Sequence, residues 1–193
     1  MALTVAALVT AGCERENLTA PQARDTRPSF GADKNILLSS PITIIPLQRT
    51  SPLAANEQRT ATIGILGGAI TLPSSGLRIV VPPFALTSPT TITATGLAGS
   101  AVAYELEPHG MSFLVPLVAI QDLRGTQASA GGLIDPLLLY VGYFPSSSNI
   151  TSVTELLDLN VNLLGQTSAA LLWHFSGYVW SSGRDESTPG DGQ

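Results

Sequence analysis

The chain has a single cysteine, Cys13, so no internal disulfide can staple it. It has a single lysine, Lys34, and charged residues make up only 12% of the chain, about half the share found in soluble domains. Nine basic residues stand against fourteen acidic ones, for a net charge of -5. Phosphate recognition needs a basic footprint, and none exists here, which argues against nucleic-acid binding. The two histidines, His109 and His174, lie far from each other and from Cys13, so no zinc-type ligand spacing arises. Asp122, Asp135 and Asp158 are scattered and form no Asp-x-Asp-x-Asp-Gly calcium loop. No metal or cofactor is expected.

Turn formers and apolar residues are abundant instead. Eighteen glycines and fourteen prolines accompany a hydrophobic fraction of 44%. Short apolar segments punctuated by turns predict an all-β chain. Leu77–Val81 is a strand stopped by Pro82-Pro83. Thr90-Thr91-Ile92-Thr93-Ala94-Thr95 alternates, as do Val102, Tyr104 and Leu106 with Ala103, Glu105 and Glu107. A period of two with one polar face marks a half-buried strand. Further strands are expected at Ala69–Leu72, Val115–Gln121, Leu137–Tyr143, Leu157–Leu163 and Ala169–Val179, while Val153–Leu159 fits a strand or a short helix. Many short antiparallel strands imply a sandwich or barrel.

The two ends differ from this middle. About ten apolar residues precede Cys13, too few for a membrane-spanning helix, which takes roughly 20, but suited to a signal-peptide core. Thr10-Ala11-Gly12-Cys13 resembles the lipobox of bacterial lipoproteins. That resemblance implies removal of residues 1–12, lipid on Cys13, export, and a membrane partner for the anchored chain. Glu14 is not the aspartate of inner-membrane retention, so the outer membrane is the expected destination. Residues 13–59 read as a flexible, proline-containing tether. Ile36-Leu37-Leu38 and Ile42-Thr43-Ile44-Ile45 within it can supply one edge strand, since Pro41 and Pro46 are tolerated at a sheet edge. Residues 182–193 are polar and are expected to fray.

Gly67-Gly68 leads into an apolar strand, a Pro73-Ser74-Ser75-Gly76 turn, a second strand and a Pro82-Pro83-Phe84-Ala85 corner. Farther on stands Glu107-Pro108-His109-Gly110-Met111-Ser112-Phe113-Leu114-Val115-Pro116-Leu117. The two segments, in this order, resemble the ZU5 family over about residues 60–181. Phe84, Glu107 and Leu117 stand where the family pattern has Gly, Gly and Val. A glycine at the corner takes positive φ freely, and a phenylalanine does so only at a cost. The resemblance implies a ZU5-like β-sandwich used for binding or mechanical linkage, with no small-molecule enzyme activity.

Some ZU5 proteins cut themselves between Phe and Ser of a His-Phe-Ser triplet, and His174-Phe175-Ser176 matches it. On one strand His174 and Ser176 share a face. His174 would act as base on the Ser176 hydroxyl, which would attack the Phe175 carbonyl to give an ester that water cleaves. The plainer expectation is a terminal strand with Trp173, Phe175 and Val179 inward and His174, Ser176 and Tyr178 in solvent. Glu105 and Glu107 also share a strand face at a separation that glycosidase pairs use, but a solvated face explains them better. His109 sits in a turn sequence and is expected to be exposed. The reading that results is a lipid-anchored envelope protein contacting a protein or envelope polymer, through strand edges or the segment between Gln121 and Pro136. The stretch Gly125–Gly132 in that segment is a flexible loop by composition.

Overall fold

In Leu77–Val81 the side chains of Leu77, Ile79 and Val81 are buried and Arg78 is exposed. The same period of two runs through Thr90–Gly96, and through the second half of Ser112–Asp122. Such strands bury one face and leave the other to water. The computed structural model describes residues 36–185. Cys13, its apolar leader and residues 186–193 lie outside the described residues.

Fourteen strands follow one another among the described residues: β1 Ile36–Pro46, β2 Gln48–Leu53, β3 Glu57–Ile63, β4 Gly68–Leu72, β5 Leu77–Val81, β6 Thr90–Gly96, β7 Gly99–Ala101, β8 Ala103–Glu107, β9 Ser112–Asp122, β10 Tyr140–Phe144, β11 Ser152–Leu157, β12 Leu159–Asn162, β13 Thr167–His174 and β14 Gly177–Arg184. Two 3-10 turns, Pro136–Leu138 and Ser147–Asn149, are the only helical elements among the described residues. A seven-stranded sheet runs β1-β11-β10-β14-β8-β6-β3, and a five-stranded sheet runs β12-β13-β9-β5-β4. A small β2-β7 pair completes the set. Every pairing is antiparallel. The all-β class read from the sequence is what the chain adopts.

One apolar core joins both sheets. Ile79, Leu117 and Leu172 of the smaller sheet and Ile92, Leu106 and Val141 of the larger one all belong to it. Two aromatics of the larger sheet cross it with polar tips. The Tyr104 hydroxyl lies 2.7 Å from Ser75 O and 2.5 Å from Gln121 Oε1, and the Trp180 indole donates to Ser168 Oγ at 2.9 Å. Burial pushes the Tyr104 phenol above its ordinary range, so the proton stays on.

A second apolar cluster contains Ile44, Ala103, Phe144, Val153, Leu156 and Val179. Strand β1 builds one side of it. Its first half pairs with β11 and its second half with β14, with a register shift between Leu37 and Ile42. Pro41 falls inside that irregularity, where a missing N–H breaks no ladder bond. Strand β14 thus has Tyr178 and Trp180 in the main core and Val179 in the second cluster.

Several boundaries shift as a result. Residues 36–59 are not tether: they form β1, β2 and the start of β3, because Ile42 and Ile44 find an apolar surface to cover. Residues 182–184, expected to fray, instead continue β14, which runs to Arg184 by pairing with Ile44 and Ile45. Val153–Leu159 is not helical but contributes to β11 and β12, where Val153, Leu156 and Leu157 are buried. Leu137 and Leu138 belong to a 3-10 turn capped by Asp135, whose carboxylate accepts from Leu137 N–H.

The corner after β5 carries a strain. Phe84 has φ 66°, the left-handed region, and its side chain is 68% exposed. Its N–H donates to Ile65 O at 2.8 Å, which fixes the conformation. An L-residue held there costs about 1–2 kcal/mol, and little packing offsets it. Replacing Phe84 by glycine removes the strain at an unfolded-state cost of about 0.5–1 kcal/mol. Phe84→Gly is therefore expected to raise the melting temperature by about 1–3 °C; a drop of more than about 2 °C would show that the side chain contributes packing the exposure conceals.

Glu57 ties β3 to the β4–β5 turn by accepting from Ser74 N–H at 3.1 Å and Ser75 N–H at 2.7 Å. Partial burial works to raise its carboxyl, but these bonds outweigh it and hold the group below its ordinary value. A lowered folded value contributes stability that is complete above the unfolded value, about 4.3, and is lost as pH falls through the folded one. Urea midpoints measured at about pH 5.5 and about pH 3 should fall less for Glu57→Gln than for the unsubstituted chain. Equal falls would remove Glu57 from the acid response.

Candidate functional site

The chain leaves the smaller sheet at His174 and enters the larger one at Gly177. Phe175 and Ser176 make the crossing, so the expected single strand Ala169–Val179 is two strands in two sheets. Both crossing residues are buried. Phe175 N–H donates to Met111 O at 2.8 Å, Phe175 O accepts from Gly110 N–H at 3.1 Å, and Ser176 O accepts from Leu106 N–H at 2.9 Å. The Phe175 ring packs edge-on to Phe113, with centroids 4.8 Å apart. Gly177 is required at the re-entry, because a Cβ there would overlap the Phe144 ring.

His174 is fixed from two sides. Its Nε2 lies 3.0 Å from Glu155 Oε2 and its Nδ1 3.2 Å from the Tyr178 hydroxyl. Tyr178 O–H also donates to His174 O at 2.6 Å. The Tyr143 ring meets the imidazole edge-on at 5.2 Å. Glu155 is only 4% exposed, while His174 is half-buried. Burial, and then the nearby Glu155 carboxylate and Tyr143, push the Tyr178 phenol far up, so it stays protonated and donates.

A base acting on Ser176 needs a ring nitrogen facing that hydroxyl at about 2.6–3.2 Å. Among the described residues no hydrogen bond joins His174 to Ser176, and both ring nitrogens face other partners. Ser176 and Tyr178 were expected in solvent. Both are buried, Ser176 in the crossing between the two sheets and Tyr178 because β14 has apolar clusters against it on both sides. The Gly110 N–H on Phe175 O is an ordinary backbone bond in this arrangement, though its donor lies where an oxyanion donor would stand.

Glu105 and Glu107 sit on β8 opposite Thr95 and Thr93 of β6. Glu107 and His109 are exposed and Glu105 is half-buried. No hydrogen bond among the described residues joins the side chains of these three to His174, although Glu105 pairs through its backbone with Gly177 at the re-entry. Among the described residues no group of three or more His, Cys, Asp or Glu is placed to hold a metal ion. No helix among them is long and apolar enough to cross a membrane.

The segment after β9 gives a different kind of site. Leu123 to Gly132 winds through successive turns, with Thr126 N–H on Leu123 O, Ser129 N–H on Thr126 O and Gly132 N–H on Ser129 O. Together with the β12–β13 turn it encloses a cleft of about 410 Å³, within the range of ligand pockets. Leu123, Ile134, Pro136, Val161 and Leu163 give it apolar walls. Gln166 ties the two sides, its side-chain oxygen accepting from Ala130 N–H at 2.9 Å. Leu133 at 89% exposure and Leu164 at 100% stand beside the lining residues in sequence, with Leu137 and Leu138 also exposed.

Two residues of the histidine cluster, and one buried charge elsewhere, escape the sequence reading. Glu155 stands in an apolar run, where its isolation is a signal. Tyr178 is assigned to the wrong face by a strand that does not continue through residue 175. Arg49, 6% exposed, lies in a strand placed in the tether. No protein-family model matches the chain, and no curated protein matches it.

With His174 held by Glu155 and Tyr178, purified protein should keep its full mass through days at neutral pH. A fragment ending at Phe175, missing from a Ser176→Ala preparation, would overturn this. Tyr178→Phe, which removes the donor to His174 O, should destabilise the fold by about 1 kcal/mol in urea titration without producing that fragment.

Proposed function

We propose that the chain is an exported, lipid-anchored cell-envelope protein, held to the bacterial outer membrane by lipid on Cys13, whose ZU5-like domain is a non-catalytic interaction or structural module. The observation that carries the binding role is the cleft between the Leu123–Pro136 segment and the β12–β13 turn, with exposed leucines beside it. Loops set on a rigid scaffold are where recognition concentrates, and clustered exposed apolar side chains mark a contact surface. The partner is a protein or envelope polymer that covers those leucines.

The rival reading is self-cleavage between Phe175 and Ser176 with His174 as base. The bonds from His174 to Glu155 and Tyr178 favour the non-catalytic role over it. The ZU5 likeness rests on the Gly67–Leu86 and Glu107–Leu117 segments, and the positive φ of Phe84 falls at the corner where the family pattern has glycine.

Crosslinking in living cells tests the binding role, using the full chain and a Leu133→Ser, Leu164→Ser double variant. One discrete crosslinked partner, at least halved in the double variant, is the expected result. Equal crosslinking in both, or none in either, would remove the cleft from the binding role. Palmitate labelling tests the anchor, with label present in the full chain and absent from Cys13→Ala.

A further inference from the structure

The two sheets differ in their outer faces. On the larger sheet, facing hydroxyls of β3 and β6 bond in pairs, Thr60 to Thr93 at 2.9 Å and Thr62 to Thr91 at 3.0 Å. Glu105 and Glu107 of β8 continue that polar surface. The smaller sheet has no such face. Its inner residues Ile79, Leu117, Ala119, Ala170 and Leu172 are buried in the main core. The residues that alternate with them, Val80, Val118, Ile120, Ala169 and Leu171, are apolar as well. They belong to neither core cluster; Leu171 is 46% exposed and the others are half-buried. A strand with one face in water alternates apolar with polar, whereas an unbroken apolar run marks a strand covered on both faces. Among the described residues no apolar layer lies over this outer face.

The register makes the face regular. Ala69, Val80, Val118 and Leu171 stand opposite one another across β4, β5, β9 and β13, an unbroken apolar row. The next row is Thr71, Arg78, Ile120 and Ala169.

These rows match a second copy of themselves. A twofold axis parallel to the strands, between β5 and β9, reverses each row. It sets the small Ala69 against the protruding Leu171 of the other copy, and Val80 against Val118. Charge follows the same symmetry. Arg78 is the one charge in the two rows; it is exposed and makes no ion pair among the described residues. The axis lays it over Ile120 of the other copy, with Asp122 about 7 Å farther along that strand. Asp122 already holds Arg124, and of the about four acceptor sites of a carboxylate one stays open for a second guanidinium. A lipid surface fits less well, since one cation on a chain of net charge -5 gives little attraction to an anionic leaflet.

We propose that the outer face of the smaller sheet is the contact of a symmetric dimer, two copies packed sheet on sheet about 10 Å apart. The same patch serves both copies, so the assembly closes at two. Five strands about 4.8 Å apart make a face roughly 20 Å across, which suits a reversible pairing rather than an obligate one. None of the residues in these rows lines the Leu123–Leu163 cleft, so the dimer and the cleft reading stand or fall separately.

Sedimentation velocity of the full chain tests this, in reducing buffer that keeps Cys13 from linking copies. The mass should rise from monomer at about 1 μM to near dimer at about 100 μM. Val118→Glu sets a carboxylate in the middle of the apolar row and should leave a monomer throughout. Arg78→Glu, at an exposed position, should weaken the dimer about ten-fold, and Arg78→Lys should weaken it less. A chain that stays monomeric at about 100 μM overturns the proposal; if that monomer binds phosphatidylcholine vesicles and Val118→Glu does not, the face belongs to a membrane. A dimer that neither Val118→Glu nor Arg78→Glu weakens, with both variants melting like the unsubstituted chain, also overturns it. Should Val118→Glu fail to fold, Arg78→Glu decides alone.

Discussion

The structure depends on two polar-tipped aromatics that pass through an otherwise apolar layer. Tyr104 and Trp180 sit on β8 and β14 of the larger sheet, packed edge-to-face with centroids 5.6 Å apart. Each ends on a partner in or beside the smaller sheet, Tyr104 on Ser75 and Gln121, Trp180 on Ser168. An apolar layer alone is non-directional and tolerates sliding. Buried hydrogen bonds do not, because a slip leaves a donor unpaired in a medium without water. These ties set how the smaller sheet sits over the larger one, and that placement makes the buried crossing at Phe175–Ser176 reproducible.

The crossing in turn explains the behaviour of β14. A strand with core against both faces cannot alternate, and Gly177 through Ser181 are all buried. Its second face would be bare apolar surface without β1, which brings Ile42 and Ile44 over Phe144, Val153 and Val179. A segment with two prolines thus joins the sheet, because it covers an apolar face and Pro41 falls in a register irregularity where no ladder bond is lost. His174 lies at the end of the strand before this crossing. Its partners come from β11 and β14, strands that β10 and β1 each pair with on both sides.

How far the sequence reveals this depends on where each residue gets its instructions. Strands β5, β6 and β8 were legible because their period of two is local and one face meets water. The break at Phe175 was not, since Trp173 to Val179 reads as one alternating strand and only the competition of two sheets divides it. The same loss of period hid Tyr178. Pro41 and Pro46 hid β1 for the opposite reason, a local signal against a strand overruled by distant apolar partners. The loop character of Gly125–Gly132 was plain from composition, but not that it winds into hydrogen-bonded turns and walls a cleft. The left-handed corner was visible as a conflict, a phenylalanine in a glycine position, and the backbone adopts the glycine geometry there.

The two ends of the candidate chemistry differ in how they are built. Around His174 each polar group the ring meets has its partner, and the backbone of the crossing is bonded to Met111, Gly110 and Leu106. Satisfied networks of this kind rigidify and specify a core. Around Arg49 the hydrogen bonding is incomplete: Nη1 meets backbone carbonyls, while Nε and Nη2 are buried without an acceptor among the described residues. The bonded crossing beside His174 is part of the frame that holds the two sheets in register.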